Sequence, residues 1–512
     1  MSVTVYVPRD AAAKAMGADV VTAAIAGQAE ARGLSVRIVR NGSRGLLWLE
    51  PLVEVQTAAG RIAYGPVSLA DVPSLFEAGW LDGAAHPLRL GPTEEIPQLK
   101  RQRRLTFRRC GLDAPLAPVP WLGLETALEM PPQAIVQQVA DSGLHGRGSA
   151  ADPAGNLWRT VAQAPSARKY VVCNAGGGDS GSFADRVLLE GDPYLLIEGM
   201  AIAALAVGAA RGFVYVRSEY PHAVASLERA LRAAREAGVL GCSMLGSGRS
   251  FELELRVGGG SHVCGEDTAM LESLEGRAGV VRAKPPLPAA SGLFGQPTLI
   301  HDVLAFAAVP TLLEKGAAFY RDVGGGRSRG TLPFQLSGNI RHGGLFELSF
   351  GLSLRELVFE IGGGTRSGRP VKAIQVGGPL GAYVPESQWD LPLDPDAYAA
   401  KGLVLGRGGI VVHDDTVDMA QLARFAMEFC AVQSCGKCAS CRIGSTRGVE
   451  VVDRIVMNHR RPQYVRMLRA LCDAMRSGSQ CAIGGMTPLP VLSALDHYPQ
   501  DFGLVGEDAR AA

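Results

Sequence analysis

Neither sign of charge dominates this chain: Lys and Arg number 51 against 50 Asp and Glu, a balance of +1. No bulk field therefore favours nucleic acid or an anionic membrane. Long apolar runs are equally scarce. The most apolar stretch, Gly199 to Ala210, is closed by Glu198 and Arg211. It falls short of the ~20 residues that span a bilayer, so it is expected as a buried core helix with no membrane insertion. The first residues, Met1 to Asp10, lack the apolar core and cleavage site of a signal peptide. Cysteine is missing before Cys110, and histidine is missing between Cys435 and Cys441. Ten cysteines without an export signal fit a reducing, cytoplasmic compartment, with thiols kept as ligands or core residues.

What the chain does contain is a thiol motif in its last hundred residues. Cys435, Cys438 and Cys441 are spaced C-x2-C-x2-C, and Cys481 follows at a distance. Three close cysteines and one remote one match the ligand set of a [4Fe–4S] cluster. Zinc more often takes two separated C-x2-C pairs or mixes in histidine, and plain redox thiols are the third alternative. Cys430 and Cys472 fall on apolar helical stripes and read as core residues, as do Cys173, Cys242 and Cys264.

At 512 residues the chain is too long for one core, and four domains are expected in an α/β multidomain fold. Residues 1–95 read β-α-β-β-α, a thioredoxin-like head without a cluster; its first helix is expected from Ala11 to Arg32. A basic connector follows, Lys100 to Arg104 and Arg108-Arg109, read as a solvated linker or as a contact with a partner protein. Residues 96–330 alternate strands, glycine-rich loops and helices, as a nucleotide or flavin site requires. The loops are Ser142 to Ala150, Gly176 to Gly181 and Gly258 to Thr268; glycines let the backbone approach a phosphate or ring. Residues 331–405 suggest a β-grasp-like domain with no visible chemistry, and 406–512 a helical domain opened by a cap at Asp415 or Thr416.

With those residues laid out, the chain resembles the family of NADH- and FMN-binding subunits of complex I. The supporting segments are Ser142 to Gly148, Lys169 to Ala175, Asp185 to Glu190, Leu271 to Pro288 and Ser434 to Arg442. Ser328 to Leu345, Trp389 to Pro392, Gly484 to Pro488 and the cysteine-free head resemble the branch formed by the β subunits of NAD-dependent molybdenum formate dehydrogenase. The resemblance implies FMN held by Gly146, Arg147, Gly148, Asn174, Gly265, Glu266 and Thr268. It also implies NAD(H) as substrate, and a [4Fe–4S] cluster on Cys435, Cys438, Cys441 and Cys481 that collects single electrons. The implied partners are a molybdenum-containing α subunit and a small [2Fe–2S] thioredoxin-like γ subunit.

The presumed pocket departs from the family pattern. Where the family continues G-R-G-G-A-G-F-P-T-G-x-K-W, this chain places Asp152 at the aromatic and Leu157 at the lysine. The acidic pair after C-N-A is Gly176-Gly177, the tyrosine and second glutamate of Y-x-C-G-E-E are His262 and Asp267, and N-N-V is His301-Asp302-Val303. A lost charge-assisted hydrogen bond is worth about 1.5–3 kcal/mol. Asp179, Glu266 and Asp267 are the residues expected to compensate. A second reading therefore stands beside the diaphorase one: a relative that keeps fold and cluster as an electron relay or docking subunit.

Overall fold

The computed structural model describes residues 2–148, 152–177 and 181–504; Asp179 lies outside them. Alternating apolar residues near the N-terminus build a five-stranded sheet. Its elements are β1 (Val3–Tyr6), α1 (Ala11–Ala15), α2 (Ala18–Ala31), β2 (Val36–Val39), β3 (Val53–Thr57), β4 (Gly60–Tyr64) and β5 (Arg89–Pro92). The order is β2-β1-β3-β4-β5, parallel between β1 and β2 and antiparallel elsewhere, a thioredoxin-like topology. The single helix expected from Ala11 to Arg32 is broken, because the chain turns left-handed at Gly17 (φ 95°).

The central domain opens with α3 (Pro132–Asp141) and α4 (Ala154–Gln163). It then alternates β6 (Tyr170–Ala175), α5 (Ala184–Gly191), α6 (Pro193–Val207), β7 (Arg211–Arg217), α7 (Pro221–Glu236), β8 (Glu252–Gly258), α8 (Asp267–Leu274), β9 (Thr298–Asp302) and α9 (Val303–Lys315). The sheet is parallel throughout, in the order β8-β7-β6-β9. Strand order reverses beside β6, so the crevice outside the ends of β6 and β9 is where such sheets take ligands. The apolar run is the expected core helix: every residue of α6 is buried. A methyl on Gly199 would lie 2.0 Å from the Phe306 carbonyl oxygen, so only glycine lets α6 and α9 touch there.

A second five-stranded sheet comprises β10 (Thr331–Gly338), β11 (Gly344–Ser349), β12 (Val371–Val376), β13 (Ala382–Val384) and β14 (Gly409–Asp414). Its order is β11-β10-β14-β12-β13, with β14 parallel to β10 at the centre. The boundary expected at residue 405 would cut this sheet in two; the change from strand to helix comes after Asp414. The helical domain holds α10 (Met419–Gln433), α11 (Ala439–Val456), α12 (Arg461–Gly478), α13 (Ala482–Met486) and α14 (Pro488–His497). Its first cap is Asp418, which accepts from the Ala420 and Gln421 amides, in place of Asp415 or Thr416. Among the described residues no helix is long and apolar enough to cross a membrane.

The second part of the basic connector is spent inside the chain. Arg109 makes a two-pronged pair with Asp192 (2.8 and 2.9 Å), Arg108 pairs with Glu314 at 2.5 Å, and Arg101 with Glu360 at 3.1 Å. Lys100, Arg101 and Arg103 stay exposed, as a solvated linker would be, whereas Arg108 and Arg109 are half-buried in their ion pairs. These pairs fasten the head to the central domain and to the second sheet.

Buried carboxyls lie at the same junction. Glu50 accepts from Ser43 Oγ at 2.6 Å and the Leu52 amide at 3.1 Å, and Glu190 accepts from the Ala11 amide at 2.6 Å. Burial, reinforced by nearby Asp10, pushes Glu50 up to about 8; burial pushes Glu190 up to about 7. Both groups bind protons more tightly folded than unfolded, so their contribution is full at acidic pH and fades as pH rises through those values. Melting temperature should therefore fall from about pH 4.5 to about 8, between the ordinary and the folded values, and Glu50→Gln should flatten that slope. Equal slopes in thermal melts of the two proteins would refute the assignment.

Candidate functional site: a glycine-walled cavity bordered by a cysteine group

A cavity of about 420 Å³ opens at the ends of β6 and β9, within the size range of small-molecule and cofactor sites. Three parts of the chain contribute to it. The central domain lines it with Gly146, Gly148, Asn174, Gly177, Gly265 and Glu266, the second sheet with Gly377, Gly378, Gly406 and Arg407, and the helical domain with Cys481, Ile483 and Met486.

Each loop is pinned by its own hydrogen bonds. Asn174, at the end of β6, donates from Nδ2 to the Gly265 carbonyl and to Asp267 Oδ1, both at 2.9 Å. Its Oδ1 accepts the Gly176 amide at 3.2 Å. Asp302 caps α9 by accepting the Ala305 amide (2.9 Å) and also takes the Arg147 amide (2.7 Å), which draws the glycine loop onto β9. Glu266 caps α8 through the Thr268 and Ala269 amides and pairs with Lys284 at 2.6 Å. The Trp158 indole donates to His301 Nε2 at 3.0 Å, and burial holds this histidine down at about 4, so it is neutral at pH 7.

Of the residues expected to contact a flavin, Gly146, Gly148, Asn174, Gly265 and Glu266 line the cavity. Arg147 turns its side chain away, to the Tyr320 hydroxyl (2.9 Å) and the Thr331 carbonyl (3.0 Å). Thr268 is buried and bonds Glu266 and the Arg282 amide. The departures from the family pattern face the same space: Asp152, Leu157, Gly177, His262, Asp267, His301 and Asp302 all line it. Gly176 packs just behind, against Asn174 and Tyr215. The second sheet, expected to carry no chemistry, supplies a full wall. Sequence reasoning missed Gly377, Gly378, Gly406 and Arg407; the glycine-rich turn at Gly377-Gly378 was the available signal.

The cysteines gather at two helix starts. Cys438 is the cap of α11 and Cys441 lies in its first turn, while Cys481 caps α13. The Gln480 amide donates to Cys438 Sγ at 3.3 Å, joining the two segments. Gly436, at φ 83°, makes the turn between Cys435 and Cys438. Cys438 and Cys441 are buried, and Cys435 and Cys481 half-buried. Helix N-termini favour negative charge, and two are directed at this group. Hydrogen bonding from Cys430, then from Ser434, with the Arg442 charge, brings the Cys441 thiol down to about 6 despite burial. Cys430 is a buried core residue as expected, but its sulfur also lies 3.8 Å from Cys441 Sγ. Among the described residues no three His, Cys, Asp or Glu side chains converge on one metal ion. A [4Fe–4S] cluster is held by four separate cysteine thiolates rather than by a shared point, and these four cysteines fit it in residue type and sequence spacing. Cys438→Ala should abolish the cluster's broad visible absorbance, whereas Cys472→Ala, in the apolar core of α12, should retain it and cost about 1 kcal/mol of stability. Identical spectra would overturn the ligand assignment.

Comparison with known proteins agrees with this architecture. Residues 139–311 match the Nuo51 FMN-binding domain, and residues 421–504 the NADH-ubiquinone oxidoreductase-F iron-sulfur binding region. The chain is 40% identical over 417 residues to the NADP-reducing hydrogenase subunit HndC of Solidesulfovibrio fructosivorans, covering 80% of this chain and 85% of that one. It is 42% identical over 382 residues to an NADH-quinone oxidoreductase subunit of Rhizobium meliloti (strain 1021), covering 75% and 91%. A crystal structure of an NAD+-reducing [NiFe]-hydrogenase in the air-oxidized state aligns with a TM-score of 0.70 at 26% identity, over 98% of this chain and 84% of that chain. The parallel sheet with its glycine loops falls within the matched FMN-binding region and all four cysteines within the matched iron–sulfur region, and the chain belongs to the family of NADH- and FMN-binding, [4Fe–4S]-carrying subunits of complex I.

Proposed function

We propose that this chain is the diaphorase subunit of a cytoplasmic NAD-dependent formate dehydrogenase. In this reading it exchanges electrons with NAD(H) at the cavity and passes them through its cysteine group to a molybdenum-containing partner. The observation that carries the electron-transfer part is Cys481. It lines the cavity and also stands in the thiol group, so one residue borders both sites. When bound, FMN supplies the conversion between a two-electron hydride and single electrons, and the cluster takes or gives electrons one at a time.

The chain's own residues would hold these groups as follows. Gly146, Gly148 and Gly265 let the backbone approach the ring and its chain, and Asn174 fixes the loop at the end of β6 against the loop before α8. Ile483 and Met486 form an apolar rim beside Cys481 that keeps water from the short path between the sites. Cys435, Cys438, Cys441 and Cys481 hold the cluster, with the start of α11 favouring its added negative charge. Lys437 and Arg442, next to these ligands in sequence, act in the same direction.

Support for formate as the distant substrate comes from the branch-specific segments Ser328 to Leu345, Trp389 to Pro392 and Gly484 to Pro488, together with the fused cysteine-free head. A small [2Fe–2S] thioredoxin-like γ subunit completes the proposed complex. Co-expressed with a molybdenum α subunit and a γ subunit, the complex should reduce NAD+ with formate and contain FMN in a one-to-one ratio with this chain. A complex that assembles with FMN and iron but reduces NAD+ with hydrogen rather than formate would replace the partner while leaving the diaphorase reading intact.

A further inference from the structure

The second sheet brings a guanidinium into the cavity. Arg407 lies just before β14, and its Nη1 is 2.5 Å from Asp185 Oδ2 at the start of α5. Its backbone is held from the other side, where Gln335 Nε2 donates to the Arg407 carbonyl at 2.9 Å. The arginine fills a specific gap. A Cβ on Gly177 would lie 2.7 Å from Arg407 Nη1 and 2.8 Å from Cζ, so any side chain there would displace the guanidinium. Position 177 is half of the acidic pair that the family pattern places after C-N-A, and here it is glycine. The missing carboxylate and the incoming arginine therefore occupy one place and exchange its sign of charge.

Among the described residues the cavity is lined by two cations, Arg407 and Lys284, and Lys284 is paired with Glu266 at 2.6 Å. Arg407 faces Asp185, with Asp302 and Asp267 also contributing to its potential; together they hold its charge firmly on against the pull of burial. One short ion pair to Asp185 engages one edge of a planar group that carries five N–H donors.

We propose that Arg407 is the cation that tunes the flavin in this cavity: it stabilises the negative charge a flavin ring gains when it takes a hydride, and so raises the flavin's midpoint potential. A neutral oxidised ring that accepts a hydride, one proton carried with two electrons, gains one net negative charge. A fixed guanidinium beside the ring favours that form over the oxidised one, and charge near the ring is among the protein's main controls on flavin electronics. In this arrangement the departure at Gly177 is a coupled exchange with Arg407, not the loss of a binding site. The inference rests on the flavin reading of the cavity.

The test is an equilibrium redox titration of the full-length chain reconstituted with FMN and cluster, followed at the flavin absorbance, with FMN content measured on released flavin. Arg407→Gln should weaken binding of reduced relative to oxidised flavin about tenfold, a fall of about 30 mV in the two-electron midpoint. Arg407→Lys should recover most of that fall. Asp185→Asn removes the neutralising carboxylate and leaves the guanidinium, so its midpoint should stay level or rise. Three results would overturn the proposal: an unshifted midpoint in Arg407→Gln with FMN retained, an equal fall in Arg407→Gln and Asp185→Asn, or weakened binding of FMN but not riboflavin with no change in potential. The last would make Arg407 a phosphate anchor. A wild-type chain that takes up no FMN would sink the flavin reading itself, a separate and visible failure.

Discussion

The arrangement depends on where one sulfur sits. Cys481 closes the thiol group from a distant part of the chain and at the same time forms part of the cavity wall. In the proposed reading Cys481 is a ligand common to both sites, and because electron transfer weakens steeply with distance that placement matters more than good contacts elsewhere. The rest of the fold can be read as the means of holding that sulfur in place. Packing of α10, α11 and α12 in one buried core sets the three clustered cysteines. The short α13 then turns Cys481 back toward the parallel sheet.

The charges around the two sites follow one logic. Both helix starts at the thiols favour negative charge, and Cys441 is already brought below its usual range before any metal is considered. In the cavity, by contrast, most carboxylates are engaged in structural work. Asp302 and Glu266 cap helices, Asp267 accepts from Asn174, and Asp185 holds Arg407. The two paired with cations, Glu266 with Lys284 and Asp185 with Arg407, add little open negative potential to the cavity. That makes the space more hospitable to an anionic cofactor than a count of its acidic side chains suggests.

The four candidate cysteines stand out because C-x2-C-x2-C is rare and because Cys472 and Cys430 sit at helical spacing with apolar neighbours. The central domain was legible because strands, glycine loops and helices alternate along the sequence itself. What stayed hidden depends on long-range pairing. β14 reads as the start of a helical domain until its hydrogen bonds place it between β10 and β12. Arg108 and Arg109 read as solvated until Asp192 and Glu314, both remote in sequence, meet them. Arg407 is one arginine among glycines, with nothing in its local spacing to mark it, and its role emerges only beside Gly177. Residue substitutions that look like independent losses in one dimension prove to be partnered in three: His301 with Trp158, Asp267 with Asn174, Gly177 with Arg407.

Charge that enters at the cavity should leave through the cysteine group, and on that route the rest of the account stands. Anaerobic addition of NADH to the chain reconstituted with FMN, iron and sulfide, frozen and examined by electron paramagnetic resonance, tests it most directly. The wild type should give the signal of a reduced [4Fe–4S] cluster, absent when Cys481 is replaced by serine. Bleaching of the flavin with the cluster still oxidised and silent would contradict the account.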